Sequence, residues 1–193
     1  LAKLDNIAGV KDATGDLASV IVELGHFADL IVLNRKLDSF HGPDMRSLTG
    51  TVLTRMRKPV LAVPDELRRF EVGGRALIAW DGSAAVTAAM RACVPLLQLA
   101  SEIRLICAET GDEDSYMGDA ARYLSRHRIA AELRRLRGEN RTADIIILEE
   151  CRHWQASWCL MGAYGHSRLR ASLFDGVTRR MLTDCPIPLV LGH

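Results

Sequence analysis

Three glycines near the carboxyl terminus could form a loop that binds an anion through its backbone. In the segment MGAYGHSRLRASLFDGVTRRML (161–182), Gly162 and Gly165 follow an apolar run, and Gly176 precedes a short amphipathic stretch. Glycine allows backbone N–H groups to point inward and lets a ligand approach without a Cβ in the way. Because such a loop would precede a helix, its amides and the helix dipole would favour a phosphate. A turn that binds no ligand is the alternative interpretation.

No other residues give a comparable indication of chemistry. The six histidines lack the spacing of a metal site, and Ser83 in AWDGS lacks the flanking glycines of a hydrolase nucleophile. Ser83 instead suits the cap of the helix that follows it. Glu149 and Glu150 are adjacent in a predicted helix, so their carboxylates point in different directions and do not suit paired acid–base catalysis. The sequence therefore indicates no dedicated catalytic base and predicts no metal site.

From residue 75 onward, short apolar runs alternate with longer segments of helical periodicity. The predicted strands are RALIAW (75–80), SEIRLICAE (101–109), IAAELRRL (129–136), SWCLMG (157–162) and IPLVLG (187–192). Strands that alternate with helices indicate a parallel sheet covered by helices, and hence one α/β domain. Pro186 and Pro188 predict an edge position for the last strand.

The chain contains a partial repeat that serves as an internal comparison. Residues 28–64 parallel residues 156–192, each with a strand, a loop, a helix and a strand that carries proline. With the offset of 128 residues between 28 and 156, Asn34 takes the place of Gly162, and a leucine takes that of Gly165. If packing alone required the glycines, the first copy should have retained them. The comparison therefore favours a ligand-binding role.

The composition is that of an ordinary soluble globular protein. The chain has 193 residues, of which 48% are hydrophobic and 25% charged, and a formal net charge of +1. Near-neutrality indicates neither nucleic acid nor an anionic membrane as a partner, and no run approaches the roughly 18 apolar residues of a membrane span. The start at Leu1 is not signal-like, and five cysteines without a C-x-x-C pair suit a reducing compartment. We therefore expect a cytoplasmic protein whose cysteines are small core residues.

The motifs at the predicted strand ends resemble the universal stress protein family. They are AWDGS after the first strand of residues 75–193, MGAYGHSRLR after the fourth, and GVTRRML followed by CPIPLVL. The resemblance is looser over residues 28–64 and is closest to the tandem, two-domain bacterial type. It implies an α/β fold with an open five-stranded parallel sheet of order 3-2-1-4-5 and helices on both faces, preceded by a partial copy. It also implies pairing through the last strands, within the chain as a pseudo-dimer or in a homodimer, and binding of ATP with magnesium.

The resemblance also implies which residues bind the nucleotide. The family signature is G-x2-G-x9-G-[ST], together with an aspartate after the first strand for the ribose, a position that Asp81 matches. The other implied nucleotide-binding positions are Ala79, Met161, Gly162, Gly165, Gly176, Val177 and Thr178.

One residue departs from the signature. Where it has glycine and then Ser or Thr, this chain has Asp175 and then Gly176. A carboxylate about 4 Å from a phosphate would be repelled by roughly 4 kcal/mol per charge at an effective dielectric near 20. Arg168, Arg170 and Arg179 would offset part of that repulsion. Alternatively, Asp175 is the N-cap of a helix that starts at Gly176.

A second resemblance concerns LDNIAGVKDATGDLASV (4–20). This segment is similar to the one around the Schiff-base lysine of the dihydrodipicolinate synthase family, with Lys11 at the lysine position. A reactive lysine needs a pocket that lowers its pKa and holds a carbonyl substrate. The eight-stranded barrel that would build this pocket is not predicted here, so we do not expect Lys11 to be a catalyst, and the likeness is attributed to chance or to a mistaken sequence.

These observations predict two domains: residues 1–70, a partial universal-stress-protein-like domain, and residues 75–193, a complete one. By the repeat offset, the first lacks counterparts of residues 75–128, which would leave strand edges unpaired, so we expect the sequence to be incomplete. The expected function is a stress-response protein that binds ATP or a related adenine nucleotide in the second domain, with at most slow hydrolysis. The alternative is an interaction module of the same fold that binds no nucleotide and works through residues 187–191.

Overall fold

The computed structural model describes residues 16–35, 45–109, 116–138, 141–163 and 171–193. The strands in these ranges are β1 (Ile31–Asn34), β2 (Val60–Val63), β3 (Arg75–Ala79), β4 (Glu102–Glu109), β5 (Glu132–Arg137), β6 (Trp158–Gly162) and β7 (Leu189–Gly192). The helices are α1 (Leu17–Leu24), α2 (Met45–Met56), α3 (Ala84–Ala92), α4 (Val94–Leu97), α5 (Met117–Arg126), α6 (Ala143–His153) and α7 (Ala171–Asp184). Not one of these described helices has the length and apolar character needed to cross a bilayer.

The seven strands form one sheet, in the order β1-β2-β7-β6-β3-β4-β5. All neighbours are parallel except β2 and β7, which are antiparallel. The five strands that follow residue 75 lie in the order β5-β4-β3-β6-β7, which is the predicted 3-2-1-4-5 order. The prediction of an α/β fold is therefore confirmed, whereas the sheet has seven strands because β1 and β2 extend it.

The predicted edge position of the last strand is wrong. β7 lies between β6 and β2, and its register with β2 pairs Leu191 with Val60 and Leu189 with Ala62. Pro186 and Pro188 precede the strand, so their missing N–H groups interrupt no pairing within it. The carbonyl of Pro188 still accepts a hydrogen bond from the backbone of β6, at 3.0 Å. Proline here marks the start of an interior strand.

Helices cover both faces of the sheet and enclose two apolar cores. Neighbouring residues of an interior strand belong to opposite cores, as Leu77 and Ile78 of β3 do. One core includes side chains of α2, α6 and α7, and the other includes side chains of α3, α4 and α5. This arrangement accounts for the continuous apolar runs of the central strands, since both of their faces are buried.

The repeated segments have the same local architecture. β1, α2 and β2 form a strand-helix-strand unit with parallel strands, as do β6, α7 and β7. Their surroundings differ, because Leu160 of β6 is fully buried in the core that α3 lines, whereas Val32, its counterpart in β1, is 61% exposed. The two units meet where β2 pairs with β7.

All five cysteines are reduced and buried, as predicted for small core residues. Burial raises the pKa of the Cys93 thiol to about 12. A hydrogen bond with the Cys159 thiol raises the pKa of Cys151, and a hydrogen bond with the Cys151 thiol raises the pKa of Cys185. Because the thiolate is the reactive form, these thiols are suited to packing rather than to nucleophilic chemistry.

Candidate functional site

The candidate site lies at the carboxyl ends of β3 and β6, which are adjacent in the middle of the sheet. Ala79 and Met161 pair there in register, and both side chains are buried in the core. From β3 the chain continues to β4 on one side, and from β6 it continues to β7 on the other. Because the two connections diverge, this is the switch point at which open α/β sheets bind ligands.

The turn after β3 forms one side of the site. Gly82 has a φ of 73°, in the left-handed region, and the exposed Asp81 accepts a hydrogen bond from the Ser83 backbone at 2.9 Å. The Ser83 hydroxyl oxygen accepts a bond from the Val86 N–H at 3.2 Å, so the prediction that Ser83 caps this helix is confirmed. These bonds fix the direction in which α3 leaves the sheet and leave the Asp81 carboxylate at the surface.

Gly162, at the end of β6, is required by the packing of α3. A Cβ on Gly162 would lie 2.8 Å from the Val86 backbone nitrogen and 3.2 Å from the Ala85 Cβ. Comparison with the repeat did not reveal this packing role. Asn34, the counterpart of Gly162, lies in β1, a strand that α3 does not approach. The Asn34 side chain instead donates a hydrogen bond to Asp65, at 3.0 Å. Close packing is therefore a sufficient reason for glycine at position 162.

The helix after the loop starts earlier than predicted. Because α7 begins at Ala171, the backbone of Asp175 lies inside the helix, and the interpretation of Asp175 as the N-cap of a helix that starts at Gly176 is wrong. Gly176 is exposed, and a Cβ there would meet nothing within 4 Å. Val177 packs partly against the core, and Thr178 is buried. The amides without an intrahelical partner at the start of this helix are those of its first four residues, 171–174.

Several predicted residues fall outside the described part of the chain. Gly165, Arg168 and Arg170 lie in residues 164–170, and Lys11 lies in residues 1–15. Their roles remain predictions from the sequence.

The sequence analysis did not identify two residues that lie near the site, at the same end of the sheet. Gly192 pairs in register with Gly162, and a Cβ on it would lie 2.4 Å from the Ala89 Cβ. The His193 ring nitrogen Nδ1 lies 3.2 Å from the carbonyl oxygen of Ala163. The available signal was a glycine at the end of each of two apolar strands, together with an alanine-rich helix small enough to pack against both.

Two substitutions compare a glycine whose missing side chain makes room for a neighbouring helix with a glycine that has open space around it. We expect Gly162→Ala to lower the free energy of unfolding by about 1–3 kcal/mol, because the new methyl group displaces the backbone of α3. Gly176→Ala should raise it by about 0.5–1 kcal/mol, because alanine is the better helix former and no atom opposes it. Urea unfolding of both variants provides the measurement. Equal stability of the two variants would contradict the packing role of Gly162.

Within the described ranges, no three His, Cys, Asp or Glu side chains are grouped so that they could hold a metal ion. The groups with which the site could bind a ligand are the exposed Asp81 carboxylate and backbone amides. Such a set suits hydrogen bonding to hydroxyl groups and to anionic oxygens.

Solved structures of other proteins share this architecture. The chain is similar to a universal stress protein from Archaeoglobus fulgidus DSM 4304, with a TM-score of 0.67 and 17% identity, covering 91% of this chain and 64% of that one. It is also similar to a functionally unknown protein from Pseudomonas aeruginosa PAO1, with a TM-score of 0.56 and 16% identity, covering 94% of this chain and 68% of that one. No protein-family model and no curated protein matches the sequence.

At these identities the likeness concerns the fold, and the chain has the fold of the universal stress proteins. It spans somewhat less than two thirds of the length of the Archaeoglobus protein.

Proposed function

We propose that this chain is a cytoplasmic universal stress protein that binds ATP or a related adenine nucleotide where β3 and β6 end. The observation that supports this most is the switch point itself, where the exposed Asp81 lies beside the glycine-terminated end of β6. A carboxylate at this position suits the ribose hydroxyls, and the start of α7 suits phosphate oxygens.

The proposed roles differ among the matched residues. Asp81 accepts hydrogen bonds from the ribose; its bond from Ser83 leaves further acceptor positions on the carboxylate. Gly165 admits the phosphates, which meet the amides of residues 171–174 at the start of the helix, and Gly162 lets α3 pack close to the end of β6 beside them. Ala79 and Met161 set the strand ends in register, while Gly176, Val177 and Thr178 form the second turn of α7 behind those amides. Magnesium would accompany ATP through its phosphate oxygens.

The site favours binding over catalysis. Asp81 is tied to the Ser83 backbone, and the sequence offers no dedicated base beside it. We therefore expect at most slow hydrolysis of bound ATP.

Calorimetric titration of the full chain with ATP and magnesium tests the proposal. We expect micromolar binding, and an affinity about tenfold lower in Asp81→Asn, because one hydrogen bond to a charged group is worth about 1.5 kcal/mol or more. Asparagine keeps an acceptor oxygen for the Ser83 N–H, so the turn persists and the variant reports on the ligand. Circular dichroism should be unchanged. Absence of heat at millimolar ATP would overturn nucleotide binding.

The second candidate is an interaction module of the same fold that binds no nucleotide. In this candidate the antiparallel pairing of β2 with β7 is the working contact, formed within the chain and not between molecules, since β7 is paired on both sides. If the titration shows no heat, this candidate stands, and a homodimer or larger assembly through other surfaces becomes the property to measure.

A further inference from the structure

A buried arginine at the end of β1 holds the carboxyl end of α7. Arg35 is 7% exposed, and its guanidinium donates four hydrogen bonds to backbone carbonyls. The acceptors are Met181 and Leu182, both at 3.0 Å, Cys185 at 2.6 Å and Ile187 at 3.1 Å. They span the last turn of the helix and the connection to β7.

The contact supplies donors to carbonyls at the end of the helix, of which that of Met181 also accepts a bond from the Cys185 N–H, at 3.1 Å. The last carbonyls of a helix have no intrahelical donor, and the negative end of the helix dipole attracts a cation. Burial lowers the pKa of Arg35, yet a guanidinium remains protonated at physiological pH. Its planar fork reaches several carbonyls at once, which a lysine ammonium on a flexible stem does not do with the same geometry.

The repeat shows that this side chain is peculiar to the first unit. With the offset of 128 residues, Arg35 corresponds to Ala163. The two backbones are equivalent, since the Arg35 N–H donates to Val63 and the Ala163 N–H donates to Gly192. Arg35 of the first unit, β1-α2-β2, therefore extends a cation into the other unit where the second unit has alanine, and the element that it contacts is α7, the helix behind the candidate site.

We propose that Arg35 is a positioning residue through which the β1-α2-β2 unit controls nucleotide affinity, by fixing the place of α7. The inference rests on the proposed function. A 14-residue helix behaves as a rod of about 20 Å, so a constraint at one end sets the position of the other. By reciprocity, a ligand at the start of α7 stabilises the arginine contact at its end.

The test compares Arg35→Lys with Lys58→Met in the full chain. Lys58 is the matched control because its ammonium also holds backbone carbonyls, those of Gly25, His26 and Ala28 just before β1, but none of α7. We expect ATP affinity to fall about tenfold in Arg35→Lys, which is a typical coupling between sites, and to stay unchanged in Lys58→Met. Equal affinity of Arg35→Lys and the unmodified chain would overturn the inference.

Hydrogen exchange without nucleotide separates this inference from the proposed function. In Arg35→Lys, amides 176–178 in the second turn of α7 should exchange about tenfold faster, together with those of the last turn. Faster exchange confined to the last turn would show a merely local cap and overturn the inference even if ATP binds. If the unmodified chain binds no ATP, the proposed function fails and the control of affinity fails with it, whereas the exchange result still reports whether Arg35 positions the helix.

Discussion

Replacing Gly192 by valine should remove a large part of the stability of the fold. A Cβ at this position would lie 2.4 Å from the Ala89 Cβ, 2.8 Å from its Cα and 3.0 Å from its nitrogen, so the obstacle is the backbone of α3. β7 is hydrogen-bonded to strands on both sides and cannot move away from the helix. We expect a loss of more than about 4 kcal/mol, against a typical total of about 5–15 kcal/mol. Thermal and urea unfolding give the measurement.

Gly118→Val is the matched control for this substitution. A Cβ on Gly118 meets nothing within 4 Å, so valine there should change stability by no more than about 0.5 kcal/mol. Gly192→Ala should lie between the two variants. A Gly192→Val protein with the urea midpoint of the unmodified chain would show that α3 does not pack on this strand as described.

Trp158→Ala should have the next largest effect, a loss of about 3–5 kcal/mol. Trp158 begins β6 and is fully buried. Its indole N–H donates to the carbonyl of Val72 at 3.2 Å, and its ring meets Phe70 edge-on at a centroid distance of 6.2 Å. The substitution therefore removes core volume and also releases the segment that joins β2 to β3. The measurement is the free energy of unfolding by urea.

Two further variants help to interpret the loss of stability in Trp158→Ala. Trp158→Phe keeps much of the ring but leaves the Val72 carbonyl without its donor, which should cost about 1–3 kcal/mol. Phe27→Ala removes an aromatic ring that is fully exposed, and it should leave stability within about 0.5 kcal/mol. If Trp158→Ala proved no more harmful than Phe27→Ala, the described core around β6 would be incorrect.

The sequence predicted the interior strands well because burial on both faces leaves a local signal, whereas their order came from the resemblance to the universal stress protein family. Runs such as RALIAW and SWCLMG are continuous and apolar, and each became an interior strand. The position of β7 was missed for a reason that is not local. Pro186 and Pro188 are compatible with an edge strand and with the entry to an interior one, and only the arrival of β2 from a distant segment decides between them.

The site was less predictable because several of its determinants come from contacts between elements. Gly162 was assigned to a ligand, yet the structure gives it a packing partner in α3 that no spacing within its own segment reveals. Arg35 lies in the partial repeat, and its acceptors are about 150 residues further along the chain. The start of α7 was placed late because Asp175 and Gly176 look like a helix boundary, although Gly176 is tolerated within the helix.

The antiparallel pairing of β2 with β7 has a consequence for how this protein behaves on dilution. Two separate molecules that joined through such strands would lose about 4–15 kcal/mol of translational and rotational freedom and would part at low concentration. Here both strands belong to one polypeptide, so that entropic cost does not arise at the junction. The joined sheet should persist equally in nanomolar and millimolar solutions.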